Sequence, residues 1–261
     1  MTTTLARRAG VLALIAATAT TLSGCAGVIG AKMTYDDTEK AKITDIVLSG
    51  GSGDVRITTA AVDETTIQRI IRRTTNPGAS YQLNGSTLSL DTSCGLNCSV
   101  SYQIQTPPGV KVRGNLDSGD VQLAGVADTD VQVSSGDMLI TDATGPVKAR
   151  ATSGDIQVLR AHGTVNAVAT SGDIRAIDAG GAVNIRATSG DVEVRLSAPN
   201  SITAEVTSGD LDISVPQGSY NVINRSRSGD TSINGLVSDS SSKNVLDVKA
   251  SSGDVHIDTT A

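Results

Sequence analysis

Nine aspartates recur in one setting, each closing a Ser-Gly-Asp triplet: Asp54, Asp120, Asp137, Asp155, Asp173, Asp191, Asp210, Asp230 and Asp254. Carboxylates repeated in this way can do two kinds of chemistry. They can hold hard cations between turns, as in calcium β-rolls, or they can accept hydrogen bonds from backbone N–H groups at tight turns. The calcium roll needs Gly-x-Asp at both turns of a coil. Here Gly and Asp are adjacent, and the opposite turns (161–163, 178–181 and 198–200) share no Asp position. The reading adopted is structural: each Asp is solvated and accepts N–H bonds at its own turn, no metal ligand set is assigned, and a calcium-stabilised roll is the alternative. Coils stacked about 4.8 Å apart would set neighbouring carboxylates repelling by about 0.9 kcal/mol in water and ~3.5 kcal/mol at an effective dielectric of 20. A charge-assisted hydrogen bond worth ~1.5–3 kcal/mol offsets this.

Other reactive groups are few. Cys94 and Cys98 form a C-x-x-x-C loop, and outside the cytoplasm two cysteines this close most often form a disulfide. A metal site would need further soft ligands, and no His lies near them. His162 sits at a turn and His256 on an outward position, so both read as solvated surface residues. No G-x-S-x-G elbow or phosphate loop occurs. Solenoids that cleave polysaccharides place two carboxylates across a groove, and outward acids occur at Asp130, Glu193, Glu205 and Asp212. Sugar clefts also stack their substrate on aromatic rings, however, and the coil region offers only Tyr220. No catalytic residue and no cofactor is assigned. An outward column five residues before each Asp carries Arg150, Arg186, Arg225 and Lys249, flanked by Arg113 and Lys148. It could bind wall polymers or anionic headgroups, but such columns are more often solvated faces that discourage aggregation.

The elements that position these groups follow from the spacing. From Asp120 onward the intervals are 17, 18, 18, 18, 19, 20 and 24 residues, a period that suits two short strands and two turns per coil. Positions eight, six and four before each Asp, and one and three after, are Ala, Val, Ile, Leu or Met in 39 of 45 cases. The interleaved positions are apolar in 4 of 36. That is the period-2 signature of strands with one buried face. Parity breaks across the triplet, so the chain turns there, and glycine permits the turn. The predicted fold is all-β: a parallel β-solenoid, β-helix or β-roll-like, of roughly 18-residue two-strand coils with an elaborated N-terminal β region. With no Phe or Trp and four Tyr, its interior must be thin and aliphatic, and single coils cannot stand alone.

Residues 1–24 read as a secretion signal, with Arg7 and Arg8 before the apolar run Val11–Leu22; the run is too short to span a bilayer. Leu22-Ser23-Gly24-Cys25 resembles the lipobox of bacterial lipoproteins, which implies lipidation at Cys25 and cleavage before it. Without the two arginines the net charge of −6 becomes −8, and an acidic chain lacking a basic run is a poor nucleic-acid binder. Residues 25–40 read as a tether. Residues 41–115 form the N-terminal β region, with a strand over 66–74, an Asn-Gly hairpin at Tyr81–Leu90 and a strand at Val100–Gln105. The repeats occupy 116–258.

The lipobox, the blocks LSGGSGDVRI, NGSTLSL and SYQIQTPPGV, and the S-G-D run together resemble the bacterial putative-adhesin, β-strand-repeat family of unknown function, often found as envelope lipoproteins. The resemblance covers about residues 41–258. It implies a solenoid at the cell surface and brings no catalytic residues with it. The expectation is a non-catalytic protein, extracytoplasmic and lipid-anchored to the outer face of the cell membrane, that serves adhesion to cell-wall polymer or another envelope interaction. The alternative is an envelope-stress sensor that binds a membrane protein. An open C-terminal coil would also permit end-to-end homodimers.

Overall fold

The structure, a computed structural model, describes residues 31–73 and 80–260. The N-terminal region contributes β1 (Ala31–Glu39), β2 (Asp45–Ser49), β3 (Val55–Thr59), β4 (Thr65–Arg73), β5 (Tyr81–Asn84), β6 (Thr87–Asp91) and β7 (Ser99–Thr106). The repeats follow as strand pairs, β8 (Lys111–Ser118) with β9 (Val121–Ala124), β10 (Thr129–Ser135) with β11 (Met138–Thr141), β12 (Val147–Ser153) with β13 (Ile156–Leu159), and β14 (Val165–Ser171) with β15 (Ile174–Ala179). Four more complete the chain: β16 (Val183–Ser189) with β17 (Val192–Leu196), β18 (Ile202–Ser208) with β19 (Leu211–Pro216), β20 (Asn221–Ser226) with β21 (Thr231–Asn234), and β22 (Val245–Ser252) with β23 (Val255–Thr260).

The first strand of each pair lies in one sheet and the second in the facing sheet, with the Ser-Gly-Asp turn between them. The two sheets contain 11 and 12 strands. Repeats pair in parallel and in register, so Val147, Ala149 and Ala151 stack on Val165, Ala167 and Ala169. These side chains are buried, while Lys148, Arg150 and Thr152 between them are exposed. The core is therefore a set of aliphatic ladders running the length of the stack, and each coil completes its neighbours' burial. The parallel solenoid is as the spacing predicts.

Three local expectations change. Residues 31–39, read as part of a tether, form β1, paired antiparallel to β4 along its full length from Ala31↔Arg73 to Glu39↔Thr65. The charges that argued against a strand fit a sheet edge, where one face is solvated. The hairpin β5–β6 forms, but Asn84 pairs with Thr87, so the two-residue turn is Gly85-Ser86. Only Gly85 has positive φ there, at 62°, which fits a type II′ turn with Gly first rather than the type I′ turn of Asn-Gly.

The third change concerns the C-terminus. Sheet order runs β19-β23-β21 and β20-β22-β18, so the last coil in sequence is inserted below the penultimate one, and the Asp230 coil forms the open end. Burial explains the exchange. The inward positions of the Asp230 coil are Val222, Asn224, Ser226, Thr231 and Ile233, and three of the five are polar. A layer between two aliphatic neighbours would strand those groups, whereas the end of the stack lets water reach them. The last coil offers Leu246, Val248, Ala250, Val255 and Ile257, all fully buried.

The tyrosines mark the two ends. Tyr102 is buried beneath the N-terminal strands, and its single O–H is shared between the Asp91 carbonyl, at 2.8 Å, and the Ser80 carbonyl; burial pushes its pKa up to about 12. Arg69 lies 5.1 and 5.2 Å from the ring centres of Tyr35 and Tyr81 and pairs with Asp37 at 2.8 Å. At the other end Tyr220 is fully buried, with its hydroxyl donating to the Pro216 carbonyl at 2.8 Å. Large rings close both ends of a core otherwise too thin to hold them.

Candidate functional site: an aspartate ladder along the turn edge

The nine aspartates form one column. Each Ser-Gly-Asp turn leaves the Asp N–H pointing back along the stack, and the preceding Asp supplies its acceptor. Asp137 N–H donates to Asp120 Oδ1 at 3.0 Å, Asp155 to Asp137 at 2.9 Å, Asp173 to Asp155 at 2.8 Å and Asp191 to Asp173 at 2.9 Å. The series extends from Asp120 onto Asp54 at 3.2 Å and from Asp210 onto Asp191 at 2.9 Å. It then follows stack order rather than chain order, with Asp254 donating to Asp210 and Asp230 to Asp254, both at 2.8 Å. At the start of the column the Asp54 N–H meets Ser101 Oγ at 3.1 Å, so a hydroxyl ends the ladder.

This corrects the sequence reading in one respect: the carboxylate caps the next coil's turn, not its own. Each aspartate is therefore an inter-coil clamp, and the N–H dipole it receives lies between it and the next carboxylate. Among the described residues no group of three or more His, Cys, Asp or Glu side chains converges as a metal site would require. Replacing Asp173 by alanine should remove the acceptor for the Asp191 N–H and cost on the order of 1 kcal/mol. Asp173→Asn keeps an oxygen at that position and should cost less. Urea melts of the two variants decide the matter, since equal damage from Asn and Ala would point to a need for negative charge, as a cation site has.

The glycine of the triplet is fixed by its surroundings as well as its dihedral. Gly172 has φ +127°, and a Cβ built on it would lie 2.2 Å from the Gly154 carbonyl oxygen. Successive turns thus pack backbone on backbone.

The outward basic column is already paired. Lys148 and Arg150 bracket Asp130 at 3.7 and 3.2 Å, Arg186 and Lys249 bracket Glu205 at 3.2 and 2.5 Å, and Arg225 contacts Asp247. The two cations hold the Glu205 carboxyl below the usual carboxylate range, Lys249 most strongly. Further pairs, Arg175–Glu193 at 3.4 Å and Arg160–Asp142 at 2.8 Å, bridge neighbouring coils in the same way. Such exposed pairs contribute little individually, but they neutralise the faces and leave no free basic strip for a polyanion; of the column and its flank only Arg113 has no ion pair among the described residues. The same pairing occupies Asp130, Glu193 and Glu205, while Asp212 lies in register between Glu193 and His256. With Tyr220 buried, no Tyr, Phe or Trp ring is exposed on the coil faces among the described residues.

Cys94 and Cys98 form a disulfide with Cα atoms 5.3 Å apart, closing the loop that replaces a Ser-Gly-Asp turn between β6 and β7. His162 is exposed at its turn, with Nδ1 3.3 Å from the Ala143 carbonyl, and His256 is exposed on the sheet face. Cys25 lies outside the described residues. The sequence reading overlooked the end-capping role of the tyrosines; their confinement to 35–102 and 220, outside the regular coils, was the available signal.

Solved structures share this architecture. A putative adhesin from Bacteroides fragilis superposes with a TM-score of 0.54 at 16% identity, over 90% of this chain and 100% of that one. A putative adhesin from Parabacteroides distasonis gives 0.54 at 12% identity, over 87% and 97%. At such identities the likeness is one of fold. Among curated proteins no sequence relative matches. The model of the Toastrack DUF4097 family matches residues 21–258, nearly the whole of the repeat and cap architecture, and the chain belongs to that family.

Proposed function

We propose that this protein is a non-catalytic, lipid-anchored component of the bacterial cell envelope that projects a rigid β-solenoid from the outer face of the membrane as an adhesin-like interaction scaffold. The observation that carries the reading is the distribution of chemistry on the solenoid. Its ladder carboxylates are spent on inter-coil clamps and most of its surface cations on cross-coil ion pairs, which leaves a stack of coils stapled along its edge and faces rather than a convergent catalytic centre. The irregular polar segments gather in the Asp230 coil and its loops (217–244), the end opposite the N-terminal strands. Twelve strands at about 4.8 Å put that end roughly 50 Å away. The Cys94–Cys98 disulfide suits an oxidising compartment, and the names given to structures of the same fold agree with a surface role.

Replacing Cys25 by Ser should move the protein from the membrane fraction to the soluble one; a variant that still sediments with membranes refutes the lipid anchor. A pull-down from intact envelopes with the Cys25→Ser protein then tests the scaffold role. Wall glycan in the eluate supports adhesion, whereas a single membrane protein would favour the sensor alternative.

A further inference from the structure

Leu96 has no role in the fold. It sits in the loop Gly95-Leu96-Asn97 closed by the Cys94–Cys98 disulfide and is 97% exposed, more than any other large hydrophobic side chain among the described residues. The staple holds this leucine out in water, in a loop where a polar residue would fold as well.

Its position suggests what it meets. Ser99, directly after the loop, pairs with Arg72, and Arg72 pairs with Lys32. Ala31, the first described residue, pairs with Arg73 and so lies level with Cys98, two strand spacings or about 10 Å across the sheet. Cys25 precedes Ala31 by six residues, which reach at most about 22 Å when fully extended. The loop and the start of β1, from which six residues lead back to Cys25, therefore share one corner of the solenoid. Lys32 and Arg72 are exposed at that corner and have no ion pair among the described residues, unlike most of the cations along the coils. An apolar tip beside unpaired cations matches the boundary between acyl chains and anionic headgroups.

Resting on the lipid anchor at Cys25, we infer that the disulfide loop is a second membrane contact: Leu96 enters the headgroup–acyl boundary of the anchoring leaflet, and Lys32 and Arg72 face its anionic headgroups. One leucine binds lipid weakly from solution, but the anchor holds it at high effective concentration. The contact sets orientation, standing the solenoid on its N-terminal strands.

The chain contains no Trp, so Leu96→Trp installs a single reporter at a site that packs on nothing. The full-length lipidated variant is reconstituted into phosphatidylcholine–phosphatidylglycerol vesicles with and without brominated acyl chains, beside Val237→Trp, whose site is 89% exposed at the far end. The expected result is a shift of the Leu96→Trp emission to shorter wavelength and loss of most of its intensity in brominated vesicles, with Val237→Trp unaffected. Unchanged Leu96→Trp emission in protein that co-floats with vesicles overturns the contact and leaves the anchor intact. Failure to co-float overturns both. Quenching of both reporters overturns the standing orientation.

Discussion

Ala169→Asp is expected to abolish the cooperative thermal transition at neutral pH. Ala169 is 2% exposed and is stacked in register between Ala151 and Ala187, themselves 5% and 1% exposed. The layer contains alanine methyls and backbone already committed to inter-strand hydrogen bonds, so a carboxylate there finds neither water nor donor. Such an unpaired buried charge costs several kcal/mol, and the added volume about 1–3 kcal/mol more, against a typical stability of ~5–15 kcal/mol. Because every coil depends on its neighbours, the damage is not confined to one layer. Burial would raise the pKa of the introduced carboxyl, so part of the loss should be recovered as the pH falls and the group becomes neutral. Thr170→Asp, one residue further and exposed, should leave stability within about 0.5 kcal/mol of the parent. Circular-dichroism melts of the pair test the strand parity directly, and equal stabilities would refute it.

The second large effect is expected from Gly172→Ala. The substitution keeps the turn's composition nearly unchanged yet places a methyl 2.2 Å from the Gly154 carbonyl oxygen and 2.7 Å from its carbon, at φ +127°. Neither atom can retreat, since Gly154 sits in the same relation to Gly136, at 2.1 Å, and Gly190 to Gly172, at 2.2 Å. Backbone strain of about 1–3 kcal/mol and overpacking of similar size combine, giving an expected loss on the order of 3–5 kcal/mol in urea unfolding. Gly85→Ala is the control: Gly85 also has positive φ, +62°, but a Cβ there meets nothing within 4 Å, so only the dihedral cost of about 1–3 kcal/mol applies, without the overpacking. If the two variants were equally stable, close packing of successive turns would not be what selects glycine.

Much of this architecture is legible in the residues. Alternation over Val147-Lys148-Ala149-Arg150-Ala151 fixes which side chains face inward, because a strand has no other way to segregate them, and the broken parity across Ser-Gly-Asp fixes a turn. The short C-x-x-x-C spacing of Cys94 and Cys98 suffices for their disulfide, and the β-branched run of β4 suffices for a strand. Local spacing could do this because each of these features is settled within one coil. What spacing could not settle is which group faces which across coils. The Asp173 carboxylate could have bonded to its own turn; only stacking places the Asp191 N–H against it. Arg150 and Lys249 look like free cations until the register sets Asp130 and Glu205 beside them. Charged β1 read as a tether because its partner, β4, lies more than 25 residues further on, and the inverted order of the Asp230 and Asp254 coils follows from matching buried surfaces, a comparison no single repeat contains. The sequence by itself determined the coil, its inward face and its turns, since these depend on alternation and backbone sterics within about 18 residues. Only the tertiary structure decided the order of the stack, the partners of its charges and the corner that the Cys94–Cys98 loop shares with the start of β1, because those depend on burial and pairing between segments remote in sequence.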